Sequence, residues 1–135
     1  QDEDVHAVAE EMGIDETMRA LPNGYDTEVG ERGRLLSLGQ RQLVAFARAL
    51  LRDPHILILD EASSYIDSST EAIVQEAMVR LSRNRTSFVI AHRLSTIRSA
   101  EQIVVIDDGR LIERGTHQQL LAAGGHYSTL VHSAG

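Results

Sequence analysis

The chain contains no cysteine and no lysine. Disulfides, thiol nucleophiles and cysteine-ligated metals are thereby excluded, and so is any phosphate-handling motif within these residues that turns on a lysine. All 13 basic residues are arginine. Aromatic residues make up only 4% and do not interleave with the arginines, which argues against a stacking platform for single-stranded nucleic acid. Positive charge is in deficit as well: 13 basic against 20 acidic residues leave a net −7. The broad positive field of a nucleic-acid binder is missing, and no nucleic-acid partner is expected. The longest strongly apolar run, 56–59, is far short of the ~20 residues of a membrane helix, and no signal-peptide pattern opens the chain. There is no Gly-x-Ser-x-Gly elbow for a serine hydrolase. His6, His55, His117, His126 and His132 have no partners at metal-binding spacing and read as surface or packing residues. What is present is 135 residues, 42% hydrophobic and 24% charged, the composition of one folded domain. A chain of this size buries roughly 65–70% of its extended surface.

Hydrophobic periodicity orders the chain. Val5, Val8, Ala9 and Met12 follow i, i+3, i+4, i+7 and predict a helix over Asp2–Met12 that Gly13 stops. Asp15 is expected to cap a second short helix carrying Met18 and Leu21, ended by the turn Pro22-Asn23-Gly24. The polar stretch 28–34, with Gly30 and Gly33, reads as a loop. From Ser37 onward Leu43, Val44, Ala47, Leu50 and Leu51 form one apolar stripe, a helix closed by Pro54. The unbroken apolar run 56–59 then predicts a strand covered on both faces, as in a parallel sheet, and 87–91 and 103–106 predict two more. A helix over 71–81, with Ile73, Ala77, Met78 and Leu81 on one face, joins the first two in a right-handed crossover. Asp107-Asp108-Gly109 predicts a tight hairpin into 111–114, and Thr116 with Gln119 opens a C-terminal helical segment.

The expected fold class is α/β, a mainly parallel sheet flanked by helices with a helical portion at the N-terminus. The expected division is 1–52, helical, and 53–135, the α/β core. Because Gln1 directly precedes a helix, the chain reads as cut from something longer. A sheet missing upstream strands would bare an edge, so self-association through that edge, or a shifted, swapped arrangement, is expected.

Ligands of open α/β sheets sit beyond the carboxyl ends of the strands. Asp60 and Glu61 follow the first strand and His92 follows the second, so a carboxylate pair and an imidazole fall on one rim if those strands are near neighbours. Each also has a plain reading, an acid as a turn or cap residue and a histidine as packing. Ser37 followed by Gln40 is a capping box, sufficient as structure alone. Gly39 in the first turn adds a second reading, because a missing side chain lets an anion approach amides that already favour negative charge.

In order and spacing these pieces resemble the second half of the nucleotide-binding domain of an ABC transporter, a partial P-loop NTPase-like fold. Leu36-Ser37-Leu38-Gly39-Gln40 is similar to the signature motif, and 56–60 with Glu61 resembles the Walker B strand and its catalytic glutamate. Ser64-Tyr65-Ile66-Asp67 occupies the D-loop position, and Ala91-His92-Arg93 resembles the switch-histidine region. Thr27-Glu28-Val29-Gly30-Glu31-Arg32-Gly33 is similar to a loop of exporter-type members that faces the membrane domain. The family's Gly-x-x-x-x-Gly-Lys-Ser/Thr loop is absent, Leu38 stands where the family has a glycine, and Tyr65 is larger than the small residue common in the D-loop.

The resemblance implies a role for each residue. Asp60 would hold Mg²⁺, Glu61 would be the general base, and His92 would contact the γ-phosphate. Ser37, Leu38, Gly39 and Gln40 would bind the γ-phosphate of ATP held by an opposite subunit, and Asp67 would touch that subunit's phosphate loop. It further implies two such domains closing around two MgATP, a transmembrane domain as partner, and a place on the cytoplasmic face of the cell membrane. The isolated chain, lacking the phosphate loop, would be inactive. Two other classes share these motifs: a chromosome-maintenance or DNA-repair ATPase, in which long coiled coils separate them, and a non-catalytic regulatory domain of the same family.

Overall fold

The computed structural model describes residues 2–61 and 68–133, with the side chains of Asp2 and Ser68 left aside. It is an α/β structure that divides into two compact units, Gln1–Phe88 and Val89–Gly135.

In the first unit α1 (Asp2–Met12) buries Ala9 and Met12 and half-buries Val5 and Val8, the face its periodicity marks. Gly13 leaves the helix at φ 71°, and a Cβ there would meet the Arg80 guanidinium at 2.9 Å, so backbone conformation and close approach both favour glycine. In α2 (Asp15–Arg19) the capping position belongs to Ile14, not to Asp15. Asp15 is the first helical residue, and its carboxylate instead accepts from Arg19 Nε at 2.7 Å and Tyr25 Oη at 2.8 Å. Tyr25 lies in a short 3-10 turn (Gly24–Asp26) after the expected Pro22-Asn23-Gly24 turn. The stretch read as loop holds another 3-10 turn, Glu31–Gly33, with Arg32 left-handed at φ 55°.

Helix α3 (Leu38–Leu50) is capped by Ser37 and buries Leu43, Phe46 and Leu50. Its inward face is rotated from the expected stripe. Phe46 is inside, while Val44 and Ala47 are half-buried and Leu51 is exposed. It packs on α4 (Ser68–Ser82), whose inward residues are Val74, Ala77, Met78 and Leu81. Burying each large side chain of this set contributes about 1.5–3 kcal/mol. Arg80 of α4 pairs with Glu76 at 2.6 Å and donates to the carbonyl of Glu11 at 3.3 Å, reaching the last turn of α1.

Strands β1 (Ile56–Asp60) and β2 (Thr86–Ile90), joined through α4, form a two-stranded sheet. The expectation of cover on both faces is not met. Leu57 and Leu59 are buried, but Ile56 and Ile58 are 61% and 74% exposed, and Phe88 and Ile90 are exposed on β2. Side chains alternate across a strand, and the described residues cover one face of β1. Unbroken apolarity records a demand for cover on both sides; it does not supply the cover.

In the second unit a short helix α5 (Leu94–Arg98), which no motif announced, precedes β3 (Ile103–Asp107) and β4 (Arg110–Gly115). β3 was expected to be a third buried strand. It pairs instead with β4 in a separate antiparallel sheet and exposes Val104 and Ile106. The hairpin closes through Asp108 and Gly109, both at positive φ (46° and 71°), as a two-residue turn of the primed type requires. A bulge lies between Val105 and Ile106. The C-terminal helical segment is two helices, α6 (His117–Ala123) and α7 (His126–Ser133), separated where Gly124 turns left-handed. Thr116 and Gln119 make the expected capping box on α6. The unit's core is Ile103, Val105, Leu120 and Tyr127, with Ile97, Leu121 and Val131 packed against it.

Candidate functional site

Ser37 is extended (φ −62°, ψ 163°), so its side chain folds over the first turn of α3. Its hydroxyl oxygen accepts from the Gln40 amide at 3.1 Å, and the Gln40 carbonyl oxygen Oε1 accepts from the Ser37 amide at 2.9 Å. The first backbone bond of the helix runs from the Arg41 N–H to the Ser37 carbonyl at 3.0 Å. The N–H groups of Leu38 and Gly39 therefore lie ahead of the intrahelical ladder and outside the capping box. They form the positive end of the helix dipole, an arrangement suited to an anion. Four of the candidate residues, Ser37 through Gln40, are thus one local structure. Ser37 is exposed, Leu38 and Gln40 are half-buried, and Gly39 is buried.

Asp60 and Glu61 occupy opposite environments although they are adjacent. Asp60 ends β1 on the open side with Ile56 and Ile58 and is exposed. Glu61 follows the buried side of Leu57 and Leu59 and is 3% exposed. Gln75 Nε2 of α4 donates to Glu61 Oε1 at 2.9 Å. Nothing in the spacing identified Gln75: it is 14 residues away, and the only local signal is a polar residue beside the buried Val74 stripe.

His92 belongs to the second unit, exposed and one residue beyond Ala91 at the end of β2, with Arg93 in the capping position of α5. Asp67 and the rest of Ser64-Tyr65-Ile66-Asp67 lie outside the described residues.

A second polar cluster also escaped the motifs. His6 stacks edge-on against Tyr25 with ring centroids 4.1 Å apart, and its Nδ1 is 4.0 Å from Asp15 Oδ1. The Arg19 hydrogen bond, then that of Tyr25, holds the Asp15 carboxyl below its usual value, while burial and then the bond to Asp15 push the Tyr25 hydroxyl up to about 12. Two other histidines bond locally: half-buried His117 has Nδ1 2.7 Å from Tyr127 Oη, and exposed His132 has Nδ1 2.6 Å from the Ser128 carbonyl, while His55 and His126 are exposed.

Comparison with known proteins matches this arrangement to one family. The family model for the ABC transporter matches residues 1–64, which include the α3 tip, Asp60 and Glu61. The uncharacterized ABC transporter ATP-binding protein YknV of Bacillus subtilis (strain 168) is 56% identical over 130 residues, covering 96% of this chain and 22% of its own length. These matches identify the chain as similar to ABC transporter ATP-binding proteins. An ATP-dependent lipid A-core flippase of Pseudomonas putida is 55% identical over 127 residues, 94% of this chain and 21% of that protein. Among solved structures, a bacterial Atm1-family ABC exporter with ATP bound superposes with a TM-score of 0.86 at 43% identity, over 99% of this chain and 23% of that one. The chain therefore spans about a fifth of the length of these ABC transporter relatives. No helix among the described residues is long and apolar enough to cross a membrane.

The donor set fits the nucleotide and the metal that an ABC transporter domain implies. Two amides and a hydroxyl at a helix tip are phosphate-binding chemistry. Among the described residues no group of three or more acid or histidine side chains could cage a cation. Mg²⁺ asks for less, being held by one or two carboxylates together with phosphate and water, and exposed Asp60 can supply one.

Proposed function

We propose that this chain is the signature and hydrolysis part of the ATP-hydrolysing domain of an ABC exporter. Two such domains close around MgATP and drive transport through a transmembrane domain, at the cytoplasmic face of the membrane. The observation that carries the reading is the contrast between adjacent carboxylates, Asp60 open and Glu61 buried and hydrogen-bonded. Neighbouring acids in opposed environments take different roles.

Asp60 offers an oxygen to Mg²⁺, which when bound offsets charge on the nucleotide's terminal phosphates. Glu61 accepts a proton from water as the water oxygen bonds to the γ-phosphorus and the bond to the ADP oxygen breaks. His92 contacts the γ-phosphate and fixes the line of attack. The amides of Leu38 and Gly39, with the Ser37 hydroxyl, bind the γ-phosphate of ATP held by the opposite domain, and Asp67 touches that domain's phosphate loop. Phosphoryl transfer depends mainly on positioning and charge stabilisation, so dividing these groups between two domains makes closure the switch. Because no lysine is present, the isolated chain binds MgATP weakly and does not turn it over.

The test is Glu61→Gln in a full-length transporter carrying this sequence. ATP binding should persist while turnover falls by about 10²–10⁴, the usual contribution of a general base. Turnover near normal would remove Glu61 from that role.

A further inference from the structure

Glu61 is the only charged residue among the buried side chains of the described residues. A glutamate has three rotatable side-chain bonds, so a base of this type is useful only if something fixes it. The Gln75 Nε2 donor at 2.9 Å from Oε1 supplies such a restraint. Its own platform is packed. On α4, Val74, Ala77, Met78 and Leu81 are all buried, α4 packs on α3, and Arg80 joins its outer side to Glu76 and the end of α1.

The chemistry of the donor also matters. A guanidinium at this distance would hold the carboxylate equally well but would lower its basicity by pairing with its charge. A neutral amide orients one oxygen and leaves the negative charge in place. We infer that Gln75 is a positioning residue for ATP hydrolysis, holding Oε1 of Glu61 so that the carboxylate meets water in one orientation. This rests on the reading of Glu61 as general base.

A double-mutant cycle in the full-length transporter tests it, with Gln75→Met removing the donor at nearly constant length and Gln75→Glu replacing it with an acceptor. Each variant should lower kcat by about 10- to 100-fold, the usual loss when a supporting hydrogen bond to a functional group is removed. KM for ATP and direct binding of MgATP should stay within about twofold, and the melting temperature should confirm folding. In a Glu61→Gln background the same Gln75→Met change should alter kcat less than about twofold, because a residue acting through Glu61 has nothing left to position. Equal losses in both backgrounds, a loss confined to binding, or unchanged kcat beside a slow Glu61→Gln would each overturn the positioning role alone. Normal turnover in Glu61→Gln would overturn the base assignment together with it.

Discussion

Substitution at Ser37 separates the two functions of the α3 tip. Removing the hydroxyl in Ser37→Ala deletes the acceptor that the Gln40 amide uses at 3.1 Å, while the reciprocal bond from the Ser37 amide to Gln40 Oε1 survives. Loss of such a cap costs about 0.5–2 kcal/mol, which lowers the melting temperature by about 2–16 °C in a cooperative unit the size of Gln1–Phe88. Ser37→Asp keeps a side-chain acceptor and places negative charge at the positive end of the helix, so stability should stay within about 0.5 kcal/mol of the parent. The same carboxylate would oppose a phosphate. At about 4 Å and an effective dielectric near 20, like charges repel by about 4 kcal/mol, close to a thousandfold in affinity. Calorimetric melting of the chain and ATP turnover of the full-length transporter read the two effects separately, with Ser37→Asn as the capped, uncharged control. The expected pattern is a lowered melting temperature in Ser37→Ala alone and abolished turnover in Ser37→Asp. Unimpaired turnover in Ser37→Asp would refute phosphate binding at this helix, and an unchanged melting temperature in Ser37→Ala would refute the cap.

The Tyr25 hydroxyl, raised from 10.0 to about 12, stays protonated in the folded chain where an unfolded tyrosine ionises. The stability it lends is complete below pH 10 and is lost as pH rises toward 12. Tyr25→Phe should cost about 0.5–1.5 kcal/mol in urea unfolding below pH 10 and reduce the alkaline decline; an unaltered decline would mean that another group governs it. Asp15 runs the opposite way: its depressed pKa lends stability above 3.8 that disappears as pH falls through its lower folded value, so Asp15→Asn should flatten the acid side of the stability profile. On the open face of β1, Ile58 is 74% exposed. Ile58→Glu should change stability by no more than about 0.5 kcal/mol while reducing self-association in light scattering; association that persists unchanged would place the sticky surface elsewhere.

Local chemistry was the part most legible in the sequence. Capping boxes at Ser37 and Thr116 and the Asp108-Gly109 turn each depend on residues two or three apart, and all three formed. Helices α1 and α4 were legible because amphipathic spacing survives whatever they pack against. Long-range facts were not. The run 56–59 announces a strand but not that one face stands open, and the apolarity of 103–106 does not show that, among the described residues, β3 pairs with β4 in a separate antiparallel sheet. Asp15 looked like a cap because acids often are; the competing attraction of Arg19 and Tyr25 is tertiary information. At the candidate site, the cap formed by Ser37 and Gln40 and the placement of Asp60 and Glu61 at a strand end are legible from order and spacing, whereas the Gln75 contact is not, because a helix supplies it from 14 residues away.

Complementation between two inactive copies tests the division of labour most directly. Ser37→Asp copies retain Glu61 but repel the partner's nucleotide, and Glu61→Gln copies retain the α3 tip but lack the base. In a mixed pair of the full-length protein, one of the two sites receives an intact Glu61 from one copy and an intact Ser37 from the other. Co-expressed at equal levels, the two variants should recover about a quarter of the parent turnover, since about half the dimers are mixed and each holds one whole site. Turnover no higher than that of either variant alone would contradict a site shared between copies.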